Sequence, residues 1–188
     1  MIRIDAIILA RGGSKGIPGK NIIDFCGKPL LVWTIEQCLN SNLINEVWVS
    51  SDDQEILDIA KNSGAMCIKR PIRISDDESS SESGWLHAVD YIQSKNITTD
   101  LIIAPQVTSP LRESKDFDLA IEKFISRKFD SLFSASIVSD MFFWKKNQKG
   151  YLDSVNYDYK RRKRRQNFQK QIIENGSFYL FKPHILKK

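Results

Sequence analysis

Ile4-Asp5-Ala6-Ile7-Ile8-Leu9-Ala10-Arg11-Gly12-Gly13-Ser14-Lys15-Gly16-Ile17-Pro18-Gly19-Lys20-Asn21 is the stretch around which the rest of the chain falls into order. Ile4 to Leu9 is a short apolar run that reads as a buried strand. Further on, Pro29-Leu30-Leu31-Val32-Trp33-Thr34-Ile35 reads as the start of a helix. Between them, Gly12, Gly13, Gly16 and Gly19 free the backbone for positive φ and for close approach to a ligand. Successive backbone N–H groups in such a loop form a concave anion site. Arg11, Lys15 and Lys20 add three positive charges, which is the chemistry of a triphosphate cradle. The plainer alternative is a glycine-rich surface turn with solvated cations.

Two familiar glycine loops do not fit. The glycines fall at 12, 13, 16 and 19, so G-x-G-x-x-G is absent. The P-loop needs G-x-x-x-x-G-K-[ST], but Asn21 follows Gly19-Lys20 and Ser14 stands at the first glycine's place.

A chain of 188 residues, 41% hydrophobic and 27% charged, is long enough for one well-buried domain and too apolar for disorder. No apolar run approaches the ~20 residues of a membrane span. The first residues lack a secretion signal's apolar core. Cys26, Cys38 and Cys67 are odd in number and far apart, as expected of free thiols in a reducing cytoplasm. The net charge of +5 is local. Lys160, Arg161, Arg162, Lys163, Arg164, Arg165 and Lys170 supply seven of the 28 basic residues, leaving 21 against 23 acidic ones, a net of −2. Nucleic acid is therefore an unlikely partner for the body of the chain.

Along the chain, Leu30, Leu31, Ile35, Cys38 and Leu39 recur at helical spacing. Val47-Trp48-Val49 predicts a second strand, and Asp52 with Glu55 predicts a capping box for the helix after it. Met66-Cys67-Ile68 predicts a third strand, followed by a polar loop from Arg70-Pro71 to Ser81. A helix with Trp85, Leu86, Val89 and Ile92 inward comes next, then a strand at Leu101-Ile102-Ile103-Ala104. A helix over Ser114 to Arg127, with Ser114 as a possible cap, leads to a strand at Ser131–Ser136. Trp33, Trp48 and Trp85 fit core positions. This alternation predicts a three-layer α/β/α fold with a mostly parallel sheet. Such sheets bind ligands outside the carboxyl ends of their strands, so the loops at 11–21, 51–53, 70–81 and 106–112 should meet on one edge. From residue 138 the alternation stops. Met141-Phe142-Phe143-Trp144 is an aromatic cluster, Lys149-Gly150 marks a hairpin turn, and Ile172–Phe181 returns to strand-like residues. The expected organisation is one domain with core 1–137 and 171–188 and a dimerisation arm over 138–170.

Ile8 to Asn21 resembles the signature of the acylneuraminate cytidylyltransferases, which make CMP-activated sialic acids. The resemblance continues through Val49-Ser50-Ser51-Asp52, Arg70-Pro71, Gln106-Val107-Thr108-Ser109-Pro110-Leu111-Arg112, Arg164-Arg165-Gln166 and Asn175-Gly176-Ser177-Phe178-Tyr179, in order. Related enzymes for the eight-carbon deoxy acid of lipopolysaccharide carry A-R-x-x-S-x-R-x-P-G-K. Gly12-Gly13 and Lys15-Gly16 stand here instead, which favours a nine-carbon acceptor.

The resemblance implies a nucleotide-diphospho-sugar-transferase-like fold. It implies attack by a sugar acid's anomeric hydroxyl on the α-phosphorus of CTP, releasing pyrophosphate, with Mg²⁺ bridging phosphate oxygens. Arg11, Lys20 and Gln106 become the catalytic set. Arg11, Gly12, Gly13, Ser14, Lys15, Lys20, Asn21, Arg70 and Ser81 become the nucleotide site, with Arg70 and Ser81 beside the cytosine. Gln106, Thr108, Ser109 and Arg165 become substrate contacts, Arg165 across a homodimer interface. Taken as residues alone, Arg70-Pro71 fits an ordinary turn, Thr108-Ser109-Pro110 a helix start, Asp52 a helix cap, and Asp76-Asp77-Glu78 a solvated loop face. His87 and His184 have no visible partner. The family's paired metal-binding aspartates fall beyond Lys188, so no metal ligand is expected within these residues, and nucleotide affinity with weak or absent turnover is expected of them alone. Two rival expectations are a nucleotide-binding, dimerising remnant and an RNA-binding protein using the basic run at 160–170.

Overall fold

In the computed structural model, which describes residues 2–138 and 141–187 with only the backbone at Arg165, the first strand shows how the layers are built. On β1 (Ile4–Leu9), Ile4, Ala6 and Ile8 are buried in one apolar cluster and Ile7 in another. Side chains two apart share a face of a strand, so this alternation means cover on both sides. A small hairpin of β2 (Asp24–Phe25) and β3 (Lys28–Pro29) follows the glycine loop and feeds α1 (Leu30–Leu39). Then come β4 (Glu46–Ser51), α2 (Gln54–Asn62), β5 (Met66–Lys69), α3 (Ser81–Ser94) and β6 (Leu101–Pro105). The chain continues through α4 (Ser114–Arg127), β7 (Ser131–Val138), β8 (Trp144–Lys146), β9 (Leu152–Ser154) and β10 (Gln171–Phe181).

The main sheet runs β5-β4-β1-β6-β10-β7. β4 and β6 flank β1 in parallel, β5 is parallel to β4, and β10 is antiparallel to β6. Buried residues of α1, α2 and α4 share one cluster, and Trp85, Ala88, Val89 and Ile92 of α3 pack in the other. This is the predicted three-layer, mostly parallel α/β fold, with β10 inserted between β6 and β7.

The described residues form two compact units, one up to Ser134 and again from Gly176, the other Ala135–Asn175. In the second, β8 and β9 form an antiparallel hairpin whose turn has Gly150 at φ +83°. Phe142 packs against Tyr157 and Phe168, and Trp144 against Tyr157 and Tyr159.

Several local expectations change. The N-cap of α2 is Asp53, whose Oδ1 accepts from the N–H of Glu55 and Ile56 at 2.8 and 3.2 Å, so Asp52 is not the cap. The N-cap of α4 is Glu113, in a reciprocal capping box with Asp116, because Ser114 is already helical. Leu39 is exposed and Thr34 is buried on the inner face of α1. Trp33 lies outside the core, its indole donating to the Phe25 carbonyl at 2.7 Å. On α3, Ala88 is buried where Leu86 was expected.

Phe117 of α4 is fully buried, its ring 5.2 Å from that of Phe178 and nearly perpendicular to it. Phe117→Ala should lower unfolding free energy in urea by about 3–5 kcal/mol, through lost burial and a residual cavity. Leu119→Ala, on the exposed side of the same helix, should stay within about 0.5 kcal/mol of the parent.

Candidate functional site

The carboxyl ends of β1, β4, β5 and β6 lie on one edge of the sheet, and the loops that leave β1, β5 and β6 line a cavity of about 280 Å³, while the turn after β4, at 51–53, meets the glycine loop without lining the cavity. Of the residues expected there, Arg11, Ser14, Lys20, Asn21, Arg70, Ser81, Gln106 and Thr108 line it. Gly12, Gly13, Lys15 and Ser109 lie in the same loops without lining it. Arg165's side chain lies outside the described residues.

The four loop glycines do different work. Only Gly19 has positive φ, at +62°, where it caps a short 3-10 turn over Lys20–Ile22. Gly12 is required by contact, since a Cβ there would stand 2.6 Å from Asp53 Oδ2. Gly13 and Gly16 face open space. Asn21 is buried and donates its amide to the Arg11 carbonyl at 2.9 Å, tying the end of the loop to its start.

The cations differ in their counter-charges. Arg11 Nη2 and Lys15 Nζ both reach Asp77, at 2.8 and 2.5 Å, and Arg11 Nη1 donates to the Asp76 carbonyl at 2.8 Å. The Lys15 hydrogen bond, aided by Arg11, holds the Asp77 carboxyl below the usual carboxylate range. Ser79 does the same for Asp76. Asp76 and Asp77, read from sequence as a solvated loop face, thus clasp the glycine loop. Arg70, with 5% of its side chain exposed, donates from Nε to Ser75 Oγ at 2.9 Å, with Asp52 Oδ1 at 4.0 Å from its Nη2. Gly84 on α3 makes room for this: a Cβ there would stand 2.9 Å from Leu9 and 3.2 Å from Arg70 Nη1. Among the described residues no carboxylate pairs with Lys20, which faces the cavity.

A buried arginine that sequence reading placed in a motif, and not in the site, holds the far wall. Arg112 donates to the Gln106 carbonyl at 2.8 Å, the Ser177 carbonyl at 2.9 Å and Thr34 Oγ1 at 2.8 Å. Burial pushes its pKa down to about 10, which leaves it charged at neutral pH. The Gln106 N–H also donates to Ser177, and the Ser109 hydroxyl to the Gly176 carbonyl. The segment from Gln106 to Arg112 is therefore pinned to Gly176 and Ser177 of β10.

The cytidylyltransferase family profile matches residues 6–186. N-acylneuraminate cytidylyltransferase A of Danio rerio is 38% identical over 98% of this chain, which spans 43% of that protein. Pseudaminic acid cytidylyltransferase of Campylobacter jejuni is 37% identical over 95% of this chain, which spans 83% of it. The fold is similar to that of CMP:2-keto-3-deoxy-manno-octonic acid synthetase complexed with CTP, with a TM-score of 0.73 at 19% identity, covering 98% of this chain and 76% of that one.

Two measurements check the geometry. Arg112→Lys, whose single nitrogen replaces the two that reach Gln106, Ser177 and Thr34, should cost about 3 kcal/mol in urea unfolding and speed proteolysis in the 106–112 segment. His87 carries a depressed pKa, first through burial and then through the Arg70 charge. When the folded pKa of a base is the lower one, protons enter the unfolded chain first. Stability should therefore fall as pH drops through about 6.5, and His87→Gln should flatten the curve between about pH 7 and 5.

Proposed function

Because the chain belongs to the cytidylyltransferase family, we propose that it transfers CMP from CTP to the anomeric hydroxyl of a nine-carbon 2-keto-3-deoxy sugar acid. N-acetylneuraminate, legionaminate and pseudaminate form the acceptor class. The observation that carries this reading is the convergence of Arg11, Lys20, Arg70, Gln106 and Thr108 on one cavity at the carboxyl edge of the sheet.

The acceptor oxygen bonds to the α-phosphorus, the bond from that phosphorus to the bridging oxygen breaks, and pyrophosphate leaves while the hydroxyl proton is released. Negative charge grows on the leaving oxygens, so fixed cations aimed there act mainly in the transition state. Lys20 has the role best supported by its position, because it lines the cavity and, among the described residues, pairs with no carboxylate. Arg11 and Lys15 take the outer phosphates by exchanging Asp77 for phosphate oxygens. Arg70 donates to the cytosine's acceptor edge, with Ser81 nearby. Gln106 and Thr108 face the acceptor side, held by Arg112.

Mg²⁺, association as a homodimer through 138–170 and a cytoplasmic setting belong to the same proposal and rest on the family resemblance. Among the described residues no three His, Cys, Asp or Glu side chains cluster as a metal cage. Asp77 and Asp52 already face cations, so no step here runs through a metal. The comparisons lend nothing to the rival readings of a remnant or an RNA-binding protein.

Calorimetric titration with CTP, UTP, GTP and dTTP tests the nucleotide, and pyrophosphate release with each of the three acids tests the acceptor. CTP should bind tightest, and Lys20→Ala should weaken it about tenfold or more, the scale of one charge-assisted contact. Tighter binding of UTP, GTP or dTTP than of CTP would contradict the reading.

A further inference from the structure

Two adjacent carboxylates leave the end of β4 and part company. Asp53 turns forward to cap α2. Asp52 turns back, and its Oδ1 accepts from the Gly12 N–H at 3.1 Å while standing 4.0 Å from Arg70 Nη2. One oxygen therefore faces both the glycine loop and the guanidinium on the opposite wall. The Asp52 main chain is itself held, its carbonyl accepting from Lys69 Nζ at 2.7 Å.

The other contacts of Arg70 bring it no opposite charge. Ser75 is a neutral partner whose hydroxyl is shared with the Pro71 carbonyl. Gly84 gives the guanidinium space and no hydrogen bond. Arg11, the other charge that acts on Arg70, repels it. Burial disfavours the Arg70 charge, and Asp52 is the group that opposes that effect. Moving Asp52 would thus release a buried cation and unhook Gly12 in one step.

We propose that Asp52 is a positioning residue that couples the phosphate-binding loop to Arg70, so that the grip on the triphosphate and the choice of base are set by one carboxylate. The proposal rests on the reading of Arg70 as the cytosine contact. Asp52 touches no substrate in this scheme. It acts through the Gly12 amide on one side and the Arg70 guanidinium on the other. A nucleotide whose base does not engage Arg70 leaves the guanidinium drawn toward Asp52, and the loop gains nothing from it. CTP engages both ends.

Asp52→Asn and Asp52→Ala separate the two arms. The carboxamide oxygen of the first can still accept from Gly12 but brings no charge to Arg70, whereas the second loses both contacts. The probes are CTP, UTP and inorganic tripolyphosphate, titrated calorimetrically into the full 188-residue chain. Asp52→Asn should weaken CTP about tenfold, bring the CTP-to-UTP affinity ratio close to one, and leave tripolyphosphate within about twofold. Asp52→Ala should weaken tripolyphosphate as well. Ile121→Val, deep in α4, should lower the melting temperature and leave the ratio unchanged. If the alanine variant does not fold, the cycle of Asp52→Asn with Arg70→Lys carries the test, and the two changes should be clearly less than additive in CTP affinity.

A parent chain that does not prefer CTP to UTP overturns both the Arg70 reading and the coupling. A parent that prefers CTP, with Asp52→Asn keeping that preference, overturns the coupling alone. So does an Asp52→Asn chain that loses all three probes in the same proportion, because that pattern belongs to a merely structural residue.

Discussion

Ala6 of β1 pairs in register with Val47 on one side and Ile103 on the other, both parallel. A strand hydrogen-bonded by parallel neighbours on each side must return through crossovers, so each carboxyl end here opens toward the same edge. The glycine loop after β1, the Asp52-Asp53 turn after β4, the Arg70 segment after β5 and the Gln106 segment after β6 share that edge for this reason alone. Sheets of this kind collect ligand groups where neighbouring connections diverge, and the cavity lies there.

The edge gathers positive charge, and the structure restrains it. Arg11 and Lys15 share Asp77, and Arg70 stands against Asp52. Unopposed, these cations would repel one another where burial already disfavours the Arg70 charge. Lys20 alone among them faces the cavity without a carboxylate among the described residues. In the proposed reading, Asp77 gives way to an incoming phosphate at Arg11 and Lys15, whereas Lys20 needs no such exchange. Arg112 meets a different need. Its two terminal nitrogens donate to the carbonyls of Gln106 and Ser177 and the hydroxyl of Thr34, making a wall from segments far apart in the chain.

The layered fold was legible because periodicity reports burial directly. The alternation of Ile4, Ala6 and Ile8 with Ile7, and the spacing of strands and helices, needed no tertiary information. Glycine chemistry was only half legible: Gly12 answers to Asp53, a neighbour distant in sequence, and not to backbone φ. Asp52 and Asp53 show the same limit. Asp52 with Glu55 has the spacing of a capping box, yet Asp53 caps α2 and Asp52 accepts from the Gly12 N–H, a contact that no local spacing reports. Arg112 and Gly84 were missed because their work is done through long-range contacts with Ser177, Thr34, Leu9 and Arg70. An arginine two residues before a helix and a glycine in the first turn of a helix are the signals that could have pointed to them.

Hydrogen–deuterium exchange of the chain with and without CTP tests the central claim most directly, because it reads the four loops in one experiment. Exchange should slow at 11–22, 52–53, 70–81 and 106–112, with residues 141–175 little changed. Unchanged exchange in those loops under saturating CTP, or slowing confined to the basic run at 160–170, would contradict the assignment of the nucleotide to this edge of the sheet.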